Sequence, residues 1–197
     1  MPVIELSLNN FTRTSSGSGS FFTETEPSVY IVDSVFPGST SGIGSLKVFW
    51  NGQVNITWAV GNPPMNFGTN IRMGIAIKFL SVYISSSGYV EAGLFIGSLR
   101  GRIRIERFGT EYIYFLIFGP ASTIITPNYF EQLILRQESL ISLSHYSFSN
   151  QNNKSLANYI SSSAFLYTGQ AGFYLQTSSS TNGIVLFDYF FIEEYTD

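Results

Sequence analysis

Residues 71–119 read IRMGIAIKFLSVYISSSGYVEAGLFIGSLRGRIRIERFGTEYIYFLIFG. In the first part of this stretch Ile71, Met73, Ile75, Ile77 and Phe79 fall on one side of an extended chain, and Arg72, Gly74, Ala76, Lys78 and Leu80 on the other. Successive side chains of a strand point to opposite faces, so this period of two predicts a long strand over residues 71–84. Three further strands follow at Tyr89–Ile96, Leu99–Arg107 and Glu111–Phe118, separated by short breaks suited to tight turns. The stretch therefore reads as an antiparallel meander.

The same pattern continues on both sides. Downstream, strands are predicted at Glu131–Gln137, Leu140–Phe148, Gln170–Thr177 and Ile184–Glu193, and upstream at Val29–Val35. Ser45–Trp50 and Gln53–Val60 flank Asn51-Gly52, and a type I′ turn, with positive φ at both central residues, favours that dipeptide; the pair predicts a hairpin. Lys154–Ile160 alone reads as a short helix. About a dozen strands with no long helix predict an all-β antiparallel sandwich or barrel. Its buried set should include Met73, Ile75, Ile77, Leu94, Ile103, Ile105, Leu186 and Phe191. Leu186 and Phe191 lie in opposite phase, so burying both requires a bend, a bulge or cover on both faces. The irregular stretches around 119–130 and 149–163 are where a binding surface is expected.

Residues 1–20 form a separate unit in this reading. Val3–Leu8 alternates like a short strand, and Arg13–Ser20 is rich in Gly and Ser, as flexible linkers are. The arm is either an edge strand of the same sandwich or a strand lent to a neighbouring subunit. Residues 21–197 are expected to make a single jelly-roll domain.

Composition narrows the function classes. Charged residues make up 12% of the chain, about half the ~25% usual in soluble domains. The formal net charge is −3, which argues against nucleic acid as the main partner, since phosphate collection needs a basic field. No cysteine is present, which excludes disulfides and thiol chemistry. The longest apolar run, Tyr112–Phe118, is far shorter than the ~20 residues a membrane helix requires, so no membrane insertion is expected. The first residues lack the basic and apolar regions of a signal peptide. The expected location is extracellular or on a virion surface, reached after removal of a signal or by another route.

Residues 71–118 resemble the concanavalin A-like lectin/glucanase superfamily in strand order. The resemblance is carried by Ala92-Gly93-Leu94-Phe95, Arg102–Arg107, Gly109 and the aromatic strand Tyr112–Phe118. Gln170–Leu175, followed by a Ser/Thr/Asn/Gly turn and by Ile184–Ile192 with Phe187, Asp188 and Tyr189, is similar to the closing pair of strands in that superfamily. The resemblance implies a jelly roll of two curved sheets whose concave face often takes polysaccharide. Members include lectins, sugar-binding modules, glucanases and virion proteins, and fold alone does not choose among them.

The residues bear on that choice. Glucanases of the superfamily carry a Glu-x-Asp-x-x-Glu strand, with two carboxylates ~5–5.5 Å apart for retaining hydrolysis. This chain has three Asp, at positions 33, 188 and 197, and none stands between glutamates at that spacing. Glu106 and Glu111 are the nearest pair, but Arg104 and Arg107 are as near, and the residues read as salt-bridged carboxylates. The single His145 and the absence of a Gly-x-Ser-x-Gly elbow give no triad, and no loop gathers the carboxylates that a calcium or manganese site needs. No enzyme activity, metal or cofactor is expected.

One constellation stands out. Arg100, Arg102 and Arg104 share a strand face with Glu106, at a spacing of roughly 7 Å between alternate residues. Like charges in such a row need compensation. Glu91, Glu106 and Glu111 are candidates for a solvated ladder, and an acidic sugar or a partner's carboxylates for a cradle. Trp50, Trp58, Tyr112 and Tyr114 are candidate sugar platforms, although Tyr serves cores and interfaces equally. Asn10, Asn55 and Asn153 head N-glycosylation sequons. The expected function is a carbohydrate-binding, lectin-like or adhesive module. The alternative is a structural subunit of a virus particle or surface filament (capsid, turret or fibre) that self-associates and attaches to a host, and a glycoside hydrolase is the third reading.

Overall fold

A computed structural model describes residues 22–24, 30–33, 45–60, 70–85, 87–127, 131–139, 144–150, 155–160 and 171–194. The strand over residues 3–8, the Gly/Ser segment, and the sequons at Asn10 and Asn153 lie outside the described residues. Fourteen strands and no helix occur among those described, in two seven-stranded antiparallel sheets. In spatial order the first sheet is β1 (Phe22–Glu24), β4 (Asn55–Val60), β13 (Ala171–Thr177), β6 (Tyr89–Ile96), β7 (Leu99–Phe108), β8 (Glu111–Phe118) and β9 (Ala121–Ile125). The second is β12 (Ser155–Ile160), β11 (Ser144–Asn150), β10 (Glu131–Ser139), β5 (Ile71–Ile84), β14 (Thr181–Glu194), β3 (Ser45–Asn51) and β2 (Tyr30–Asp33). This is a jelly-roll sandwich of the concanavalin A-like type.

The meander β6–β9 forms as the alternation requires. Ile96 pairs Leu99, Phe108 pairs Glu111 and Phe118 pairs Ala121, so each connection is a two-residue turn. Each turn opens with a glycine at positive φ, Gly97, Gly109 or Gly119, the conformation that such hairpins demand. The inward faces of both sheets meet in one apolar core. Trp58 and Phe173 of the first sheet stack at 4.9 Å, and Phe187 and Phe190 of the second close on Phe173 at 5.1 and 5.4 Å. Farther along, Phe118 and Phe148 meet at 5.8 Å, and a side chain at Gly101 would collide with the Phe148 ring.

Asn51-Gly52 is not a hairpin. β3 belongs to the second sheet and β4 to the first, so the chain crosses the sandwich at Gly52, whose φ is 94°. The crossing lets Trp50 and Trp58 enter the same core from opposite sheets. Two buried threonines clamp it. Gly52 N donates to Thr181 O at 2.7 Å, Thr177 Oγ1 donates to Gly52 O at 2.8 Å, and Val54 N donates to Thr177 Oγ1 at 3.0 Å. Trp50 Nε1 donates to Thr181 Oγ1 at 3.2 Å. β13 and β14 likewise lie in different sheets and are not a pair with each other.

Other expectations are corrected at the margins. Ser155–Ile160 is an edge strand paired with β11, not a helix; its Ser, Asn, Tyr and Ile residues favour helix weakly, and Leu156 packs on the core. The stretch 119–130, expected to be irregular, contains the edge strand β9. All of the expected core residues are buried except Phe191, which is half-buried. The register of β14 on β5 shifts between Asp188 and Phe191. Before this bulge Val185 and Phe187 face the core, and after it Phe190 and Ile192 do. Leu186 is buried instead on the outer face against Ala76 and Leu80, while Phe191 takes the Arg72 guanidinium at 5.7 Å.

Candidate functional site

The outer face of the first sheet carries the arginine row. Ile103 and Ile105 of β7 point into the core, which turns Arg100, Arg102, Arg104 and Glu106 outward. Pairing with β6 sets Glu91 opposite Arg104, Gly93 opposite Arg102 and Phe95 opposite Arg100. Pairing of β6 with β13 then adds Gln176 beside Glu91 and Tyr174 beside Gly93.

The charges are interlocked. Glu91, whose side chain is only 8% exposed, meets Arg102 Nε with Oε2 at 2.9 Å and Arg104 with Oε1 at 3.4 Å. Arg104 Nε lies 2.6 Å from Glu106 Oε1. The Arg102 and Arg104 Nε–H bonds point obliquely to these oxygens, so the contacts are ionic rather than well-aligned hydrogen bonds. Arg104 also lies over the Tyr89 ring at 4.3 Å, and Arg100 over the Tyr174 ring at 4.6 Å. Gln176 joins the two ends: its Oε1 accepts from Arg100 at 3.1 Å and its Nε2 donates to the Tyr89 hydroxyl at 3.0 Å. Burial pushes the Tyr174 hydroxyl pKa well up, helped by the Glu91 charge and opposed by Arg102 and Arg100.

The expected aromatic platforms fall elsewhere. Trp50 and Trp58 are buried in the core, and Trp50 also lines the groove beside the chain crossing. Tyr112 and Tyr114 sit opposite Arg107 and Ile105, on the inward side of β8 and thus across the sheet from the arginine row. The Tyr112 hydroxyl accepts from Ile84 N at 3.4 Å, tying the rim of one sheet to the other. Tyr114 lines a cavity of about 120 Å³ with Phe79, Ile103 and Glu131. Its pKa is raised by burial first and by Tyr112 second. Glu131 is buried there and accepts from Asn150 Nδ2 at 2.5 Å.

Tyr89, Tyr174 and Gln176 complete the outer-face network but are not singled out by local sequence. Their alternation places them on one face of β6 and β13, yet which strand neighbours β6 is a long-range fact. No pair of carboxylates free of guanidinium partners faces outward from β6 and β7, since Glu91 engages both oxygens and Glu106 is held by Arg104. Among the described residues, no three His, Asp or Glu side chains converge in a way that would hold a metal.

No protein-family model and no curated protein matches the chain. Solved structures do match in fold. The catalytic domain of the glycoside hydrolase family 131 protein from Coprinopsis cinerea is 13% identical with a TM-score of 0.57, covering 100% of this chain and 96% of that one. The Emp47p carbohydrate recognition domain is 7% identical with a TM-score of 0.56, covering 96% and 94%. A protein of unknown function from Saccharomyces cerevisiae is 9% identical with a TM-score of 0.54, covering 90% and 98%. The chain thus has the concanavalin A-like lectin/glucanase fold, one shared by sugar-recognising and sugar-cleaving domains.

Proposed function

We propose that the chain is a non-enzymatic, extracellular or particle-surface binding module that holds an acidic glycan on the outer face of its first sheet. The supporting observation is the arginine row. Arg100, Arg102 and Arg104 face two carboxylates, Glu91 and Glu106, so three positive charges against two negative leave one positive charge unmatched within the cluster. The guanidinium groups are held in place by Glu91, Gln176, Tyr89 and Tyr174 before any ligand arrives, which lowers the ordering cost of binding. Arg102 and Arg104 remain 21% and 30% exposed at their side chains. A uronate or sulfated sugar supplies the planar or tetrahedral anion that guanidinium recognises.

A second reading, the structural subunit of a particle or filament with a role in host attachment, is favoured by the neighbouring strip of the same face. Ile113, Phe115 and Ile117 pair outward of Glu106, Arg104 and Arg102, and Phe108 and Ile124 are 53% and 62% exposed. Such an apolar strip suits a protein contact better than a sugar.

Polygalacturonate and heparin immobilised on a sensor separate the readings. Binding that weakens with salt and drops about tenfold in Arg102→Ala supports the module. No binding, together with a wild-type mass above one chain by light scattering, supports the subunit. Release of reducing sugar from β-glucan or xylan that vanishes in Glu106→Gln would restore the hydrolase.

A further inference from the structure

A groove of about 640 Å³ opens beside the chain crossing, within the 300–1,000 Å³ typical of ligand sites. Its walls come from β3, β14 and β5. Register places Asn51 opposite Asn182 and Asn182 opposite Tyr83, and in the next outward row Phe49 opposite Ile184 and Ile184 opposite Ser81. Phe49 and Ser81 in one row, and Asn51, Asn182 and Tyr83 in the other, are exposed to more than a third. The exposed Phe49 ring lines the groove beside half-buried Ile184, and the exposed Tyr83 ring stands at its margin, outside the lining.

The polar groups are of one kind. Asn51 and Asn182 each carry an amide with both donor and acceptor capacity, and Ser81 a hydroxyl. None of these three side chains hydrogen-bonds within the described protein. Among the described residues, no Asp, Glu, Arg or Lys lines the groove. Lys47 stands beside it, its ammonium 5.1 Å from the Phe49 ring centroid, a cation–π contact that steadies the ring. Strands lie ~4.8 Å apart and outward rows ~7 Å apart, which puts Phe49 and Tyr83 about 12 Å from each other.

We propose that this groove is a second binding site, on the outer face of the second sheet, for a neutral oligosaccharide. Sugar hydroxyls both donate and accept, as the two amides do, and the C–H face of a pyranose stacks on an exposed aromatic ring. An uncharged glycan leaves no ion desolvated in a groove that offers no counter-ion. The site does not depend on the arginine row, which lies on the other sheet. A chain with both sites would bridge two glycans across the thickness of the sandwich.

Cellohexaose, xylohexaose, mannohexaose and maltohexaose, titrated into the full chain by calorimetry, provide the test. At least one should bind saturably. Its affinity should fall about tenfold in Phe49→Ala and in Asn182→Ala, stay within about twofold in Phe49→Tyr, and be unchanged in Arg102→Ala. Phe49 and Asn182 are exposed, so the variants should melt with the wild type. No saturation by any of the four at about 10 mM would overturn the proposal. So would equal affinity in Phe49→Ala, or a loss in Arg102→Ala, which would assign the sugar to the first sheet.

Discussion

The outer faces of the two sheets use the same strand alternation to opposite ends. On the first sheet, β7 sends out three arginines, and neighbouring strands answer with Glu91, Gln176, Tyr89 and Tyr174, which hold every guanidinium but leave Arg100 without a carboxylate in the cluster. On the second sheet, the outward residues in the groove beside β14 are Asn, Ser, Ile and Phe, with no ionic side chain among the described lining, and Lys47 and Lys78 stand one row away on either side of Leu186. One face carries a preformed electrostatic network and the other an open groove with an uncharged lining. Fixed charge has to be balanced inside the protein for the sheet to be stable, whereas neutral amides and rings can wait in water at small cost.

Removal of what the faces share should have the largest effect. Trp58 stacks on Phe173 and touches Phe187 across the sandwich, so Trp58→Ala opens a cavity under both faces at once. A loss of about 3–5 kcal/mol in urea unfolding is expected, with binding at both surfaces reduced together. Binding intact at one surface and lost at the other would show that the faces do not depend on a common core.

The next test separates them. Glu91→Gln takes the charge that two guanidinium groups share and leaves Arg102 without its carboxylate, at an expected cost of about 2–4 kcal/mol. Ser81→Ala, in the neutral groove, should stay within about 0.5 kcal/mol. Equal unfolding midpoints for the two variants would mean that the ionic network contributes no more than a surface pair does.

The smallest effect is a pH dependence confined to the first sheet. Tyr174 keeps its proton above the ordinary tyrosine value of 10.0 because its ring is buried and Glu91 is near. Below pH 10 both folded and unfolded chains hold that proton, and Tyr174 adds no pH dependence. Above it the unfolded chain ionises first, so stability falls, by at most about 1.4 kcal/mol per pH unit from this residue. Tyr174→Phe should flatten the fall between pH 10 and 11 in chemical denaturation. An unchanged slope would mean that other tyrosines, Tyr114 among them, account for it.

By itself the sequence determined what is local. The 89–118 meander, its glycine turns, the inward Ile103 and Ile105 and the outward Arg100, Arg102, Arg104 and Glu106 all follow from a period of two read over a few residues. The need for a break between Leu186 and Phe191 was legible for the same reason. What the tertiary structure alone decided is which strands are neighbours. Asn51-Gly52 satisfies every local rule for a hairpin, yet the chain crosses between sheets there, because Thr177 and Thr181, more than 120 positions away, capture the turn's backbone and Trp50. The same long-range pairing took Trp50 and Trp58 into the core and brought Gln176 and Tyr174 next to β6, whereas the local β7–β8 register put Tyr112 and Tyr114 behind the arginine row. Alternation specifies which side a residue faces, but a strand's backbone hydrogen bonds fit any neighbour equally well, so adjacency is set only when the whole apolar surface is buried at once.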